Sequence, residues 1–170
     1  MKIGFIGAGQ MGKPMAHNLL KAKYSLSLYA RHPEKVSDLK SAGASFLASP
    51  AEVAGASDLL VLCLPTDAEV DEVIGGKTGI LAGVAPGALV LDTTTGTPAA
   101  AQRVAELLKS KGVDYLDAPI SGGVKGAVDA KLTFMAGGAE KAIDRAAPVM
   151  EAMGTTIFRV GPVGSGSPRY

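Results

Sequence analysis

A short apolar run, Ile3–Ile6, passes directly into Gly7-Ala8-Gly9-Gln10-Met11-Gly12 and then into a helical pattern reaching about Ala22. Three glycines at this spacing, placed where a strand period becomes a helix period, leave few folding options. Gly7 permits a tight turn, Gly9 lets the backbone come close to a pyrophosphate, and Gly12 lets helix and strand pack closely. The helix start adds unpaired N–H groups and a positive dipole end. Such a unit belongs in a parallel α/β sheet that binds its ligand at the carboxyl edge of the strands. Ligand contacts are therefore expected from Gly7, Ala8, Gly9, Gln10, Met11 and Gly12.

The rest of the chain repeats the alternation. Strand-length runs at Ser25–Tyr29, Ala44–Leu47, Asp58–Leu64, Ala88–Asp92, Val113–Asp117, Leu132–Gly137 and Thr155–Val160 are separated by helical patterns. Leu59-Leu60-Val61-Leu62-Cys63-Leu64 is apolar throughout, as in a strand covered on both faces. Pro33, Pro50 and Pro98 stand at first helical positions, the last two behind the capping hydroxyls of Ser49 and Thr97. Gly43, Gly112 and Gly154 mark helix stops. After Pro98, Val104, Leu107 and Leu108 are expected to face inward. The pattern predicts a single α/β domain, residues 1–160, with a Rossmann-type doubly wound and mostly parallel sheet. The last two strands are expected to extend that sheet. Residues 161–170 differ in composition and read as a connector.

Composition removes several function classes. With a net charge of +1 and no basic block, the 170 residues carry no electrostatic case for nucleic acid. Four Phe, four Tyr and no Trp make stacking platforms scarce. At 47% hydrophobic and 19% charged the chain is not disordered. The longest aliphatic run, Leu59 to Leu64, is far short of the ~20 residues of a membrane span. The single cysteine, Cys63, reads as a small buried hydrophobe. A strand beginning at Lys2 leaves no room for a targeting peptide, which points to the cytoplasm. His17 and His32 are read as packing or first-turn residues, so no metal site is expected. The acidic run Asp67–Glu72 complements a helix dipole, and Met150 and Met153 read as core.

The second strand should select the dinucleotide. A carboxylate about 20 residues past the fingerprint would hold the ribose 2′-hydroxyl of NAD. Here Tyr29-Ala30-Arg31-His32 contains none, and Arg31, 19 residues after Gly12, suits a 2′-phosphate. NADP is therefore expected in preference to NAD, with His32 flanking the phosphate; the other reading is a solvated surface arginine. Leu64-Pro65-Thr66 and Asp92–Pro98 follow the fourth and fifth strands at the ligand-binding edge. Thr95 is read as a ligand contact and Thr97 as a helix cap. Ser121, Gly122 and Gly123 form either a nest suited to a carboxylate or a flexible loop.

With these residues in view, the chain resembles the β-hydroxyacid dehydrogenases, the family of 3-hydroxyisobutyrate dehydrogenase, tartronate semialdehyde reductase and NADPH-dependent glyoxylate/succinic semialdehyde reductases. The resemblance extends to the NAD-binding domain of 6-phosphogluconate dehydrogenase. It is carried by Ile3–Gly12 with Pro14-Met15-Ala16-His17-Asn18-Leu19, by Asp92–Pro98 and by Asp117–Gly123. It implies that Thr95 contacts the cofactor and that Ser121, Gly122 and Gly123 bind the carboxylate of a small substrate. Hydride would pass between NADP(H) and a short 3-hydroxy acid or semialdehyde.

Ala30 and Ala130 depart from the family, which commonly has Asn and Gly there. Family members continue through Gly-x-Gly-x-x-x-Lys into an all-helical second domain, through which they mainly assemble. Gly164-Ser165-Gly166 begins that motif, but Tyr170 stands at the place of the proton-donating lysine. The expectation is a cofactor domain without its helical partner and without a catalytic residue of its own. Such a chain binds NADP(H) but turns over poorly, and most of the family's oligomer interface is absent. Two alternatives are a non-catalytic binding fragment or stand-alone module, and an imine-reductase-like enzyme, a group in which Tyr can replace the lysine.

Overall fold

Leu59–Leu62 (β4) and Leu89–Asp92 (β5) are buried at every residue, and Lys2–Ile6 (β1) at all but its first. Apolar strands of this kind need a covering layer on each face. A computed structural model describes residues 1–167 of the chain and supplies both layers. Around these strands run Gly12–Lys21 (α1), Ser25–Tyr29 (β2), Ser37–Ser41 (α2), Ser45–Phe46 (β3) and Pro50–Gly55 (α3). Asp67–Gly75 (α4) precedes β5, and Pro98–Lys109 (α5), Asp114–Asp117 (β6) and Ile120–Ser121 (β7) follow it. Gly123–Val128 (α6), Leu132–Gly137 (β8), Glu140–Met153 (α7) and Gly154–Gly161 (β9) complete the described part.

The sheet order is β3-β2-β1-β4-β5-β6-β8-β7, with β9 on the other side of β8. From β3 to β6 every pairing is parallel. This is the doubly wound Rossmann order, in which the chain reverses direction between β1 and β4. β8 then runs antiparallel to β6 and β7 and parallel to β9, so the final strands do extend the sheet. The two-residue β7 falls where only a loop was expected.

Alternation sorts the strands between two cores. Leu59 and Val61 join Phe5, Met15, Phe134, Met150 and Met153 on one face, while Leu60 and Leu62 join Ile6, Val53, Ile74 and Val104 on the other. On α5 the buried residues are Ala100, Ala101, Val104 and Leu108, whereas Leu107 is 42% exposed. At about 100° per residue the buried set spans an arc of about 100° from Ala100 to Ala101, and Leu107 falls about 20° beyond its Ala100 edge.

Ser49 Oγ accepts from Glu52 N, Thr66 Oγ1 from Ala68 N and Thr97 Oγ1 from Ala100 N, so hydroxyls cap α3, α4 and α5. Pro33 heads a 3₁₀ turn, Pro33–Val36, rather than an α-helix. Gly112, at φ +72°, closes α5 as expected. Gly154 stops α7 at Met153, as expected, and has a second purpose. Its φ of −156° is extended, and it opens β9, where a Cβ would stand 2.2 Å from Leu132 O. The position of Tyr170 lies outside the described residues.

Candidate dinucleotide-binding site

The three fingerprint glycines meet different surroundings. Gly7 has φ +106°, and a Cβ there would lie 2.1 Å from Cys63 O. A Cβ on Gly12 would lie 2.0 Å from Gly7 O, so close packing of turn and helix demands glycine. A Cβ on Gly9 would meet nothing within 4 Å. Gly9 thus faces open space, the space its backbone can offer to a ligand. No side chain caps α1 at Met11, and its first turn holds no acidic residue. Three later helices are capped by hydroxyls; here the helix end stays open to an anion.

This helix end forms part of a cavity of about 830 Å³. Ile6–Gly12, Tyr29–His32 and Cys63–Pro65 line it from the ends of β1, β2 and β4, with Glu69, Glu72 and Val73 on α4 opposite. The volume falls within the ~300–1,000 Å³ of small-molecule and cofactor sites. Arg31 is 70% exposed, and its Nη2 lies 3.6 Å from Glu72 Oε1. His32 Nδ1 lies 3.7 Å from Glu34 Oε1. Lys35 and Lys77 also line the cavity, and no motif singled out either. Cys63 is a partly buried wall residue, and burial pushes its thiol pKa up.

Other candidates sit elsewhere along the same edge. Thr66 is absent from the cavity wall; its hydroxyl caps α4 and donates to Glu69, whose carboxyl it holds below the ordinary value. Thr95 is exposed beyond β5 and also stands outside the cavity wall. Its two predecessors are tied to β4: Thr93 Oγ1 donates to Leu62 O at 2.7 Å, and Thr94 Oγ1 accepts from Leu64 N at 3.0 Å. Ser121, Gly122 and Gly123 are exposed on a separate flank, where Gly122 (φ +133°) and Gly123 (φ +65°) make the turn into α6. Asn18 Nδ2 donates to Ala127 O and ties α6 to α1. Beyond α6, Ala130 has φ +55°, a left-handed conformation that explains why glycine suits this position.

A buried polar cluster beneath the edge has no counterpart in the motif reading. Tyr115 Oη donates to Asp92 Oδ2 at 2.7 Å, and Thr94 N donates to Asp92 Oδ1 at 3.0 Å. Burial pushes the Asp92 carboxyl from 3.8 up to about 6, with neighbouring Asp117 adding to the effect. Burial also raises Asp117 and Tyr115. Asp117 Oδ1 accepts from Gly164 N, and Oδ2 from Gly166 N, Ser167 N and Ser167 Oγ. The first part of the connector is thus bound to the end of β6. His17 is bonded to Asp38 at 2.7 Å on the surface. Among the described residues no group of His, Cys, Asp or Glu is placed to hold a metal, and no helix is long and apolar enough to cross a membrane.

The family model for the NAD binding domain of 6-phosphogluconate dehydrogenase matches residues 2–161. The chain belongs to that family. It is 42% identical over 165 residues to the NAD-dependent L-serine dehydrogenase of Pseudomonas aeruginosa, covering 97% of this chain and 55% of the relative. It is 41% identical to the mitochondrial 3-hydroxyisobutyrate dehydrogenase of Mus musculus, covering 96% of this chain and 49% of the relative. The solved Mycobacterium tuberculosis 3-hydroxyisobutyrate dehydrogenase with L-serine superposes with a TM-score of 0.92 at 36% identity, covering 97% of this chain and 56% of that one. The chain spans about half the length of the curated relatives it matches.

Proposed function

We propose that this chain is the NADP(H)-binding half of a β-hydroxyacid dehydrogenase, with residues 1–160 holding the dinucleotide and 161–170 leading onward. The observation that carries the reading is the open N-terminus of α1 beside Gly9, at the mouth of the 830 Å³ cavity. Backbone N–H groups of this turn take the pyrophosphate, and Gly9 contributes no side chain in its way. Arg31 takes the 2′-phosphate, with His32 and Lys35 beside it. Leu64 and Pro65 form the wall between the two ends of the ligand, and Thr66 holds the start of α4 next to them. Thr95 lies toward the nicotinamide, and Ser121, Gly122 and Gly123 receive the carboxylate of a short 3-hydroxy acid or semialdehyde.

The bound coenzyme supplies or accepts hydride at nicotinamide C4. Proton transfer to the substrate oxygen is the function of a lysine in the resembling enzymes, at the place of Tyr170 here. The 170 residues are therefore proposed to bind coenzyme without robust turnover of their own.

Calorimetric titration with NADPH and NADH separately tests the reading. NADPH is expected to bind at least about tenfold more tightly, the effect of one charge-assisted contact. Equal affinities would remove Arg31 from the assignment, and absence of binding at millimolar coenzyme would overturn the reading.

A further inference from the structure

Resting on that reading, we infer that Asp67 is a positioning residue for the nicotinamide end of the coenzyme and acts through Thr95. The segment that carries Thr95 is held from both sides. Upstream, Thr93 and Thr94 bond to Leu62 O and Leu64 N at the end of β4. Downstream, the hold comes from α4: Asp67 Oδ2 accepts from Thr97 N at 3.1 Å and from Thr97 Oγ1 at 3.0 Å. Between them, a Cβ on Gly96 would stand 2.0 Å from Asp67 Oδ1. Any side chain at 96 would displace the carboxylate, so Gly96 and Asp67 fit as a unit. Thr97 Oγ1 also accepts from Ala100 N, which carries the clamp into α5, and Arg103 Nη2 meets Asp71 Oδ2 at 2.7 Å farther along both helices. Thr95 is the exposed residue in the middle of this frame. Asp67 does not line the coenzyme cavity, so its effect on a ligand there must pass through the loop it holds.

Two ligands and two substitutions separate positioning from general support. NADPH reaches Thr95 in the proposed mode, whereas 2′,5′-ADP carries only the adenosine half, with the 2′-phosphate for Arg31 and one phosphate for the glycine turn. Asp67→Ala removes the acceptor for both Thr97 donors. Asp67→Asn keeps an acceptor oxygen and loses only the charge. By calorimetry, Asp67→Ala is expected to weaken NADPH about tenfold and leave 2′,5′-ADP unchanged. Asp67→Asn should stay within about twofold of the parent for both ligands, because its amide oxygen accepts both donors. Thr95→Val should weaken NADPH, and adding Asp67→Ala to it should cost little more, the mark of two residues acting as one. The inference is overturned if Asp67→Ala leaves NADPH binding intact, or weakens both ligands equally. If the parent chain binds neither ligand, the dinucleotide reading itself falls, and the inference with it.

Discussion

Asn18 Nδ2 lies 2.7 Å from Ala127 O, a hydrogen bond between residues 109 apart that fastens the first helix to the sixth. Asn18 is 7% exposed and Ala127 fully buried, so water has no ready access to either partner. Replacing Asn18 with Ala leaves a buried carbonyl short of its best donor, and a loss of about 1–2 kcal/mol is expected. The substitution should lower the midpoint in urea without changing the slope. It should also speed amide exchange through Gly123–Val128, the helix that follows the proposed carboxylate nest.

Within the fingerprint, Gly9 and Gly12 make opposite predictions. Gly9→Ala places a methyl group in open space, so the melting temperature should stay within about 2 °C while NADPH affinity falls at least about tenfold. Gly12→Ala drives a methyl group to 2.0 Å from Gly7 O and should destabilise the fold by more than about 2 kcal/mol. Thermal melts and coenzyme titrations of the two variants provide the comparison.

Glu72 competes for Arg31. The two are 3.6 Å apart at the cavity mouth, and both are largely exposed, so their mutual attraction is weak and salt-sensitive. A 2′-phosphate would take the guanidinium from Glu72 and would itself be repelled by that carboxylate. Glu72→Gln should tighten NADPH about three- to tenfold at low salt, leave NADH nearly unchanged, and lose most of its effect in high salt. Arg31→Gln should bring the two affinities together.

Asp92 makes stability depend on pH. Its carboxyl is raised from 3.8 to about 6 by burial, so between those values the folded state binds a proton that the unfolded chain has released. Stability from this group is fully present in acid and is lost as pH rises through about 6, a change of about 3 kcal/mol. Asp92→Asn copies the neutral acid in shape and does not titrate. The parent chain should lose stability relative to Asp92→Asn between about pH 4 and 6, with a constant difference above that. Parallel curves would show that Asp92 does not titrate in this window.

Local signals reveal most of the fold and the floor of the site. The period change at Ile6–Gly12 and the unbroken apolar run at Leu59–Leu64 mark β1, α1 and β4, because each depends on neighbours close in sequence. β7 is invisible at two residues, since no period can be read from Ile120 and Ser121. The antiparallel setting of β8 was equally hidden, as a helix of six residues leads into it and the usual crossover is longer. Spacing alone points Leu107 inward, because Val104, Leu107 and Leu108 fall at i, i+3 and i+4, and only the packed helix shows which edge of that stripe reaches water. The clamps at Asp67, Asp92 and Asp117 join residues 23 to 50 apart, and nothing in the local pattern announces such pairs.

Four donors from Gly164, Gly166 and Ser167 converge on the carboxylate of Asp117. Gly164–Ser167 is therefore anchored at the interior strand β6 and not at the outer strand β9 that precedes it. Asp117 holds Gly164–Ser167 beside the ligand-binding rim, like a hinge plate screwed to its frame. One buried acid thereby fixes the last described residues against that rim, and losing its charge would loosen all four of those bonds together.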